Sequence, residues 1–186
     1  EGLPLTLLPL IVDLDGTLIH TDMLHETVLG TLRDNPLGIF RIPLWLSRGK
    51  AVLKRNLARQ TDVDAAHLPY NDDLINWLRH ERAQGRKLIL CTASDRSIAE
   101  TVSSHLGIFD EVMASDGVTN LSGTQKAKAL EQRFGKSGFD YAGNSLADLA
   151  VWRCSRNGVV VNASRSVARQ AEDICHVEQV FPPKKI

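Results

Sequence analysis

The sequence is notable first for what it does not carry in excess. Its 22 Lys and Arg balance 22 Asp and Glu, so no bulk charge recruits nucleic acid or anionic lipid, and any anion specificity has to be local. No nucleic-acid partner is expected. Cysteine is scarce: Cys91, Cys154 and Cys175 form no CxxC pair and are odd in number. That argues against a disulfide framework and for a reducing, cytoplasmic compartment, where the Asn-x-Ser matches at Asn120 and Asn162 are chance. Long hydrophobic runs are missing too. The longest apolar tract, NPLGIFRIPLWL at 35–46, is about half the span of a membrane helix and is interrupted by Arg41. The opening EGLPLTLLPL lacks the basic start of a signal peptide. The tail VFPPKKI at 180–186 reads as a linker cut short, which raises the expectation that the chain is a piece of something longer. What remains is 43% hydrophobic and 24% charged, an ordinary globular composition.

Short apolar runs rich in branched residues recur at 8–13, 86–92, 139–142, 158–162 and 174–178, with a weaker one at 111–114. Helical spacings separate them. Leu74, Trp77 and Leu78 share a face; Ile98, Val102 and Leu106 repeat every four residues; Ala127, Leu130 and Phe134 follow Thr124, a candidate N-cap; Leu146, Leu149 and Ala150 mark another helix, and Val167, Ala168 and Ala171 a last one after Ser164. Such alternation predicts a mainly parallel sheet covered by helices on both faces. Residues 20–68 break the rhythm with helical periodicity only: Leu24, Val28 and Leu32, an Asn35-Pro36 stop, an apolar stretch, then Leu53 and Leu57. The predicted organisation is an α/β core over 1–19 and 69–180, a helical cap at 20–68 and a linker at 181–186. The stripe around Phe40, Leu44 and Trp45 is read as cap core; a greasy substrate surface or a contact with a membrane domain is the alternative.

The apolar run LPLIVD ends in two carboxylates, Asp13 and Asp15, two residues apart. Two unit charges about 4 Å apart repel by roughly 4 kcal/mol at an effective dielectric near 20. Three other short motifs carry polar groups: Thr92 closes the strand LILCT, Lys126 stands at a helix start in SGTQKAKAL, and Asn144 and Asp148 follow the strand FDYAG. In a parallel sheet those ends converge on one crevice. Lys128 lies two residues from Lys126 and competes with it; Lys126 is preferred as nearer the helix start. Ser94 and Asp95 are read as N-caps. His20, Asp22, His25 and Glu26 stand where cap meets core. HETVL at 25–29 lacks the second histidine of a zinc-protease helix, and GTQKA lacks the spacing of a P-loop.

DLDGTL, Thr92, Lys126 and GNSLADL, in this order, resemble the four motifs of the haloacid dehalogenase superfamily. The helical insertion resembles the cap of its phosphoserine-phosphatase-like members. DLDGTL, LPYN, TASDR and FDYAGNS, at 13–18, 68–71, 92–96 and 139–145, are similar to the soluble domain that precedes UbiA-type polyprenyl prenyltransferases. The resemblance implies a Rossmann-like three-layer α/β core, a Mg²⁺-dependent phosphatase and a phosphorylated small-molecule or lipid-linked substrate. It also implies a membrane prenyltransferase domain C-terminal to this one. By its motifs Asp13 is the nucleophile that forms an aspartyl-phosphate, and Asp15 is the general acid and base. Gly16 allows a tight turn beside the phosphate; Thr92, the main chain at Ala93, and Lys126 hold phosphoryl oxygens and their charge. Mg²⁺ would be held by Asp13, the Asp15 carbonyl, Asn144 and Asp148, and its charge would offset the repulsion of the paired acids.

The family's usual Asp after the fourth-motif glycine is replaced by Asn144, an amide that brings no charge, so Asp148 is expected to ligate more directly. Three rivals follow. A halide-removing member also carries Asn in that region but lacks the second acid, which Asp15 supplies. A phosphotransferase or mutase would replace water with an acceptor hydroxyl. A non-catalytic regulatory or docking module would keep the fold alone.

Overall fold

The computed structural model describes residues 7–184. The outer ends of the expected core and linker ranges, 1–6 and 185–186, lie outside the described residues. Six strands, β1 Leu10–Val12, β2 Leu88–Asp95, β3 Glu111–Ser115, β4 Asp140–Gly143, β5 Asn157–Val161 and β6 His176–Phe181, form one sheet in the order β3-β2-β1-β4-β5-β6. Every pairing is parallel. The chain builds outward from β1 to β3, then returns to the other side of β1 to lay down β4 to β6. The reversal makes the β1–β4 boundary the switch point, where the crevice beyond the carboxyl ends is a binding position.

The strands are apolar runs rather than alternations because both faces are covered. Leu10, Val12, Leu88, Leu90, Ala142, Val159 and Val161 point into one core, against α4 (Asp72–Ala83) and α5 (Arg96–Leu106). Ile11, Ile89, Cys91, Tyr141 and Val160 point into the other, against α6 (Gly123–Phe134), α7 (Leu149–Cys154) and α8 (Arg165–Ile174). This is the expected three-layer α/β architecture. β1 starts at Leu10 because Pro9 has no N–H for the ladder; its carbonyl still accepts from Asp140 N at 3.0 Å.

Helices α1 Met23–Asp34, α2 Arg41–Ser47 and α3 Lys50–Gln60, with a 3₁₀ turn at Pro36–Phe40, occupy the stretch after β1. They hold a small core of their own around Trp45, Leu53 and Leu57. The helix read from Leu24, Val28 and Leu32 is α1, and Leu24 and Val28 pack against that core. Its most buried residues are Met23, Thr27 and Thr31, whose threonine hydroxyls are satisfied by Leu24 O and Thr61. Other expectations need correcting. Trp45 is in the cap core, but Phe40 and Leu44 are exposed. Phe181, placed in the linker by sequence, ends β6 and meets Trp77 edge-on at 5.7 Å. The N-cap of α6 is Ser122, not Thr124, because Gly123, at φ +48°, turns the chain into the helix two residues earlier.

Candidate active site

β1 delivers Asp13 to the switch point, where its N–H bonds the Ala142 carbonyl of β4 at 3.1 Å. Asp13 is nearly buried. Lys126, on the first turn of α6, is buried as well and places Nζ 2.8 Å from Asp13 Oδ1. Lys128 is exposed, which decides between the two lysines. The contacts continue inward: Lys126 Nζ donates to the Tyr141 hydroxyl at 3.2 Å, and that hydroxyl donates to Asp148 Oδ1 at 2.6 Å. The other Asp148 oxygen accepts from the Asn144 and Ser145 amides at 2.8 and 3.0 Å. Both oxygens of Asp148 are thus engaged within the protein, and the residue shapes the loop after β4.

Gly16 turns at φ +74°, and a Cβ there would lie 2.2 Å from the Asn144 side-chain nitrogen. The glycine therefore provides the room in which Asn144 sits. The Thr17 hydroxyl is 3.4 Å from Asp13 Oδ2 and 3.3 Å from Asn144 Oδ1, so an acid oxygen and an amide oxygen converge on one hydroxyl. Asp13 Oδ2, the Thr17 hydroxyl and Asn144 Oδ1 present oxygen here, the chemistry a hard divalent cation takes. The set fits Mg²⁺ in kind, with Asn144 lowering its charge by one.

Asp15 stands behind Asp13, half-buried. Its Oδ1 accepts from Met23 N at 3.0 Å and its Oδ2 from the Ser94 hydroxyl at 3.1 Å. Burial raises its pKa despite those two donors. Burial pushes Asp13 up further, to about 7; Lys126 opposes this while Asp148 and Asp15 add to it. Burial pulls the Lys126 ammonium down, but the carboxylates of Asp13 and Asp148 outweigh it and hold the group above its ordinary value. Lys126 stays charged, and Asp13 retains a proton more readily than a free carboxyl.

A cleft of about 470 Å³ opens over this cluster, lined among others by Asp13, Asp15, Asn144 and Lys126. Ser122 and Gly123 bring the start of α6 to its wall, where a helix presents N–H groups and the positive end of its dipole. Ala93 lines the cleft but Thr92 does not. Thr92 is fully buried, and its hydroxyl accepts from Ser94 N at 3.0 Å because β2 runs on past it to Asp95. His20 and Asp22 reach the cleft, whereas His25 and Glu26 are exposed away from its wall.

A family model described as haloacid dehalogenase-like hydrolase matches residues 10–153, the stretch that carries β1, the cap helices and the loop after β4. The chain belongs to this family. A protein of Sinorhizobium fredii (strain NBRC 101917 / NGR234), "uncharacterized protein y4nM", is 42% identical over 155 residues, covering 83% of this chain. The chain spans only 30% of that relative's length. Among solved structures, a substrate-bound phosphoserine phosphatase superposes with a TM-score of 0.63 at 11% identity, covering 95% of this chain and 94% of the other. A Bordetella pertussis Tohama I protein of unknown function gives 0.64 at 16%, covering 93% and 97%. At those identities the likeness is one of fold.

For this haloacid dehalogenase-like hydrolase, the sequence reading missed several residues of the site. Ser94, read as a cap, instead holds Asp15; Asp95 is the cap, accepting from Ser97 N at 3.2 Å. Lys54 on α3 reaches across to the Ala93 carbonyl at 3.0 Å and Asn120 Oδ1 at 2.7 Å. Tyr141 is a hydroxyl in the short strand DYAG, directly before the Gly143-Asn144 loop, a signal present in the sequence and passed over.

Proposed function

We propose that this chain is a Mg²⁺-dependent phosphomonoester hydrolase that works through an aspartyl-phosphate on Asp13. The observation that carries the reading is the buried Lys126–Asp13 contact of 2.8 Å at the mouth of the switch-point cleft. A carboxylate attacks phosphorus only when fixed in line and when the charge of the phosphoryl group is answered. Lys126 fixes Asp13 through Oδ1, leaving Oδ2, met at 3.4 Å by the Thr17 hydroxyl, as the attacking oxygen. The start of α6 and the Ala93 main chain receive the other phosphoryl oxygens. Asp15, with its raised pKa, holds the proton that the leaving oxygen needs, and afterwards takes one from the attacking water. Asp13, the Asp15 carbonyl and Asn144 would hold the cation, with Asp148 supporting their loop. A Mg²⁺ held there would supply positive charge to offset the Asp13 carboxylate and the phosphate. The cap helices exclude bulk water from the transfer.

The substrate read from the resemblance is a phosphorylated small molecule or a lipid-linked phosphate, met in the cytoplasm, with a membrane prenyltransferase domain following in the same polypeptide. One observation favours a second reading. Asn144 removes a charge from the cation set, as expected if the fold were kept for docking alone. Phosphate release from a broad ester panel, with Mg²⁺ or with EDTA, on wild type and Asp13→Asn, separates the two. Turnover that needs the metal and is lost in the variant supports hydrolysis. Inactivity on every ester supports the module, and release that survives Asp13→Asn overturns the nucleophile assignment.

A further inference from the structure

Residues 36–46 (PLGIFRIPLWL) contain a single polar side chain, Arg41, yet they form a surface. Backbone angles stay helical from the 3₁₀ turn at Pro36–Phe40 into α2. At that spacing Gly38, Ile42 and Trp45 share the inner side, where Trp45 and Ile42 join the small core of the cap. Leu37, Phe40 and Leu44 share the opposite side and stand in solvent, 72%, 77% and 55% exposed. Ile39 and Leu46 flank them, also about half exposed. A segment apolar on both faces normally has both faces covered; here only one is.

The same region departs from the neutrality of the whole chain. Between Asp34 and Asp62 there are six bases, Arg41, Arg48, Lys50, Lys54, Arg55 and Arg59, and no acid. Lys54 and Arg55 turn inward to Ala93, Asn120 and Asp95. Arg41, Arg48, Lys50 and Arg59 are exposed, and the first two continue the outer side of the helix beside Leu37 and Leu44.

We propose that this outer face of the cap docks on an anionic lipid surface, its leucines and Phe40 entering the headgroup boundary while Arg41, Arg48 and Lys50 meet lipid phosphates. Bare aliphatic and aromatic groups rimmed by bases, on a segment far too short to cross, are what an interfacial helix presents. Among the described residues no helix is long and apolar enough to span a bilayer, so the contact lies on the surface. A second copy is disfavoured by charge. An isologous contact would set Arg41, Arg48 and Lys50 against their own counterparts, with no acid from 35–61 to answer them. A protein partner is specified by hydrogen bonds across the contact, and 36–46 offers one side chain able to make them. The lipid surface requires none. The inference does not use the catalytic reading and stands or falls apart from it.

The test is co-sedimentation of the purified chain with vesicles of phosphatidylcholine and phosphatidylserine at about 3:1, and with phosphatidylcholine alone. Binding is expected on the anionic vesicles, at least about tenfold weaker on the neutral ones, and lost in about 1 M salt, where the Debye length falls to about 3 Å. Replacing Arg41, Arg48 and Lys50 by Gln should weaken it roughly a hundredfold, at about fivefold for each base. Phe40→Ser with Leu44→Ser should weaken it more than about tenfold. Val118→Ser, at an exposed apolar side chain (89%) outside residues 36–46, should leave it unchanged. These side chains are exposed, so thermal melting of the variants should match wild type and show that folding is not the cause. No binding to anionic vesicles at low salt overturns the proposal, as does equal binding to neutral vesicles or indifference to both variant sets. A dimer in light scattering that Phe40→Ser dissolves would assign the face to a second copy and overturn it too.

Discussion

Strands β1 and β4 run side by side, and each end of the pair carries a buried aspartate. At the amino end Asp140 is fully buried and saturated: Arg86 reaches it at 2.6 Å, Arg156 at 2.8 and 3.1 Å, and the Asn157 amide at 3.0 Å. Arg86 also bonds Glu178 and Glu81. At the carboxyl end Asp13 takes the Lys126 ammonium directly, and Asp148 meets it through the Tyr141 hydroxyl. Asp15 bonds the Met23 amide and the Ser94 hydroxyl, and among the described residues Asp13 Oδ2 has only a long contact with Thr17. The two clusters lie in one sheet and differ in whether charge is answered from within. The amino end is closed by its own arginines. The carboxyl end is left short of positive charge where a 470 Å³ cleft admits it from outside. A buried acid that the protein neutralises itself is structural; one left to a ligand is a working group.

The contrast is broken most sharply by matched substitutions. Asp13→Asn should lower phosphate release by at least about a thousandfold, because the attacking oxygen is gone. Its melting temperature at pH 7 should fall less than in Asp140→Asn, since Asp13, raised to about 7, carries its charge there only in part and an Asn oxygen can still accept from Lys126. Asp140→Asn should do the reverse. Removing the acceptor of two guanidinium groups costs about 3 kcal/mol or more, roughly a 10 °C fall in melting temperature, while the turnover of the folded fraction is kept. Thermal melts and specific activities of both variants check this together. Equal loss of stability in the two would show that the ends are not different in kind.

The amino-end cluster and the carboxyl-end cluster were unequally legible in the sequence. DLDGTL at the end of an apolar run announced a crevice, and strands buried on both faces left runs that periodicity could find. Asp13, Lys126 and Asn144 meet because strand ends of a parallel sheet converge, which needs topology alone. Other members depended on angles that no local pattern encodes. Thr92 was expected in the cleft, but β2 continues through a register shift before Asp95, and the hydroxyl turns back to the Ser94 amide. Lys54 finds its partners 39 and 66 residues away, through the packing of the cap on β2. Asp140, Arg86 and Glu178 carried no motif at all; a structural ion network closed across distant segments leaves no spacing to read.

A smaller effect comes from restoring the missing acid. Asn144→Asp adds a charge to the oxygen set beside Gly16 and should tighten Mg²⁺ roughly tenfold, as ligand charge count does in cation sites. Isothermal titration with Mg²⁺ measures it without turnover. Unchanged affinity would mean that Asn144 is not among the ligands, and the cation would have to be sought from Asp13 and Asp15 alone.

The smallest effect is a pH slope, and its sign is what matters. Asp13 in the folded, metal-free chain holds its proton up to about 7, against an ordinary value of 3.8, because burial and the neighbouring carboxylates penalise its charge. Between those values the folded state binds more protons than the unfolded one, so this group makes stability fall as pH rises from about 4 to 7 and level off above. The slope contributed is at most about 1.4 kcal/mol per pH unit. Denaturant melts across that range, taken as wild type minus Asp13→Asn, isolate it from the other titrating groups. Saturating Mg²⁺ should flatten the difference by answering the charge from outside, and Asp140→Asn should leave it in place. A difference that rises with pH instead would mean that Lys126 already neutralises Asp13 fully, and the two ends of the sheet would then be alike.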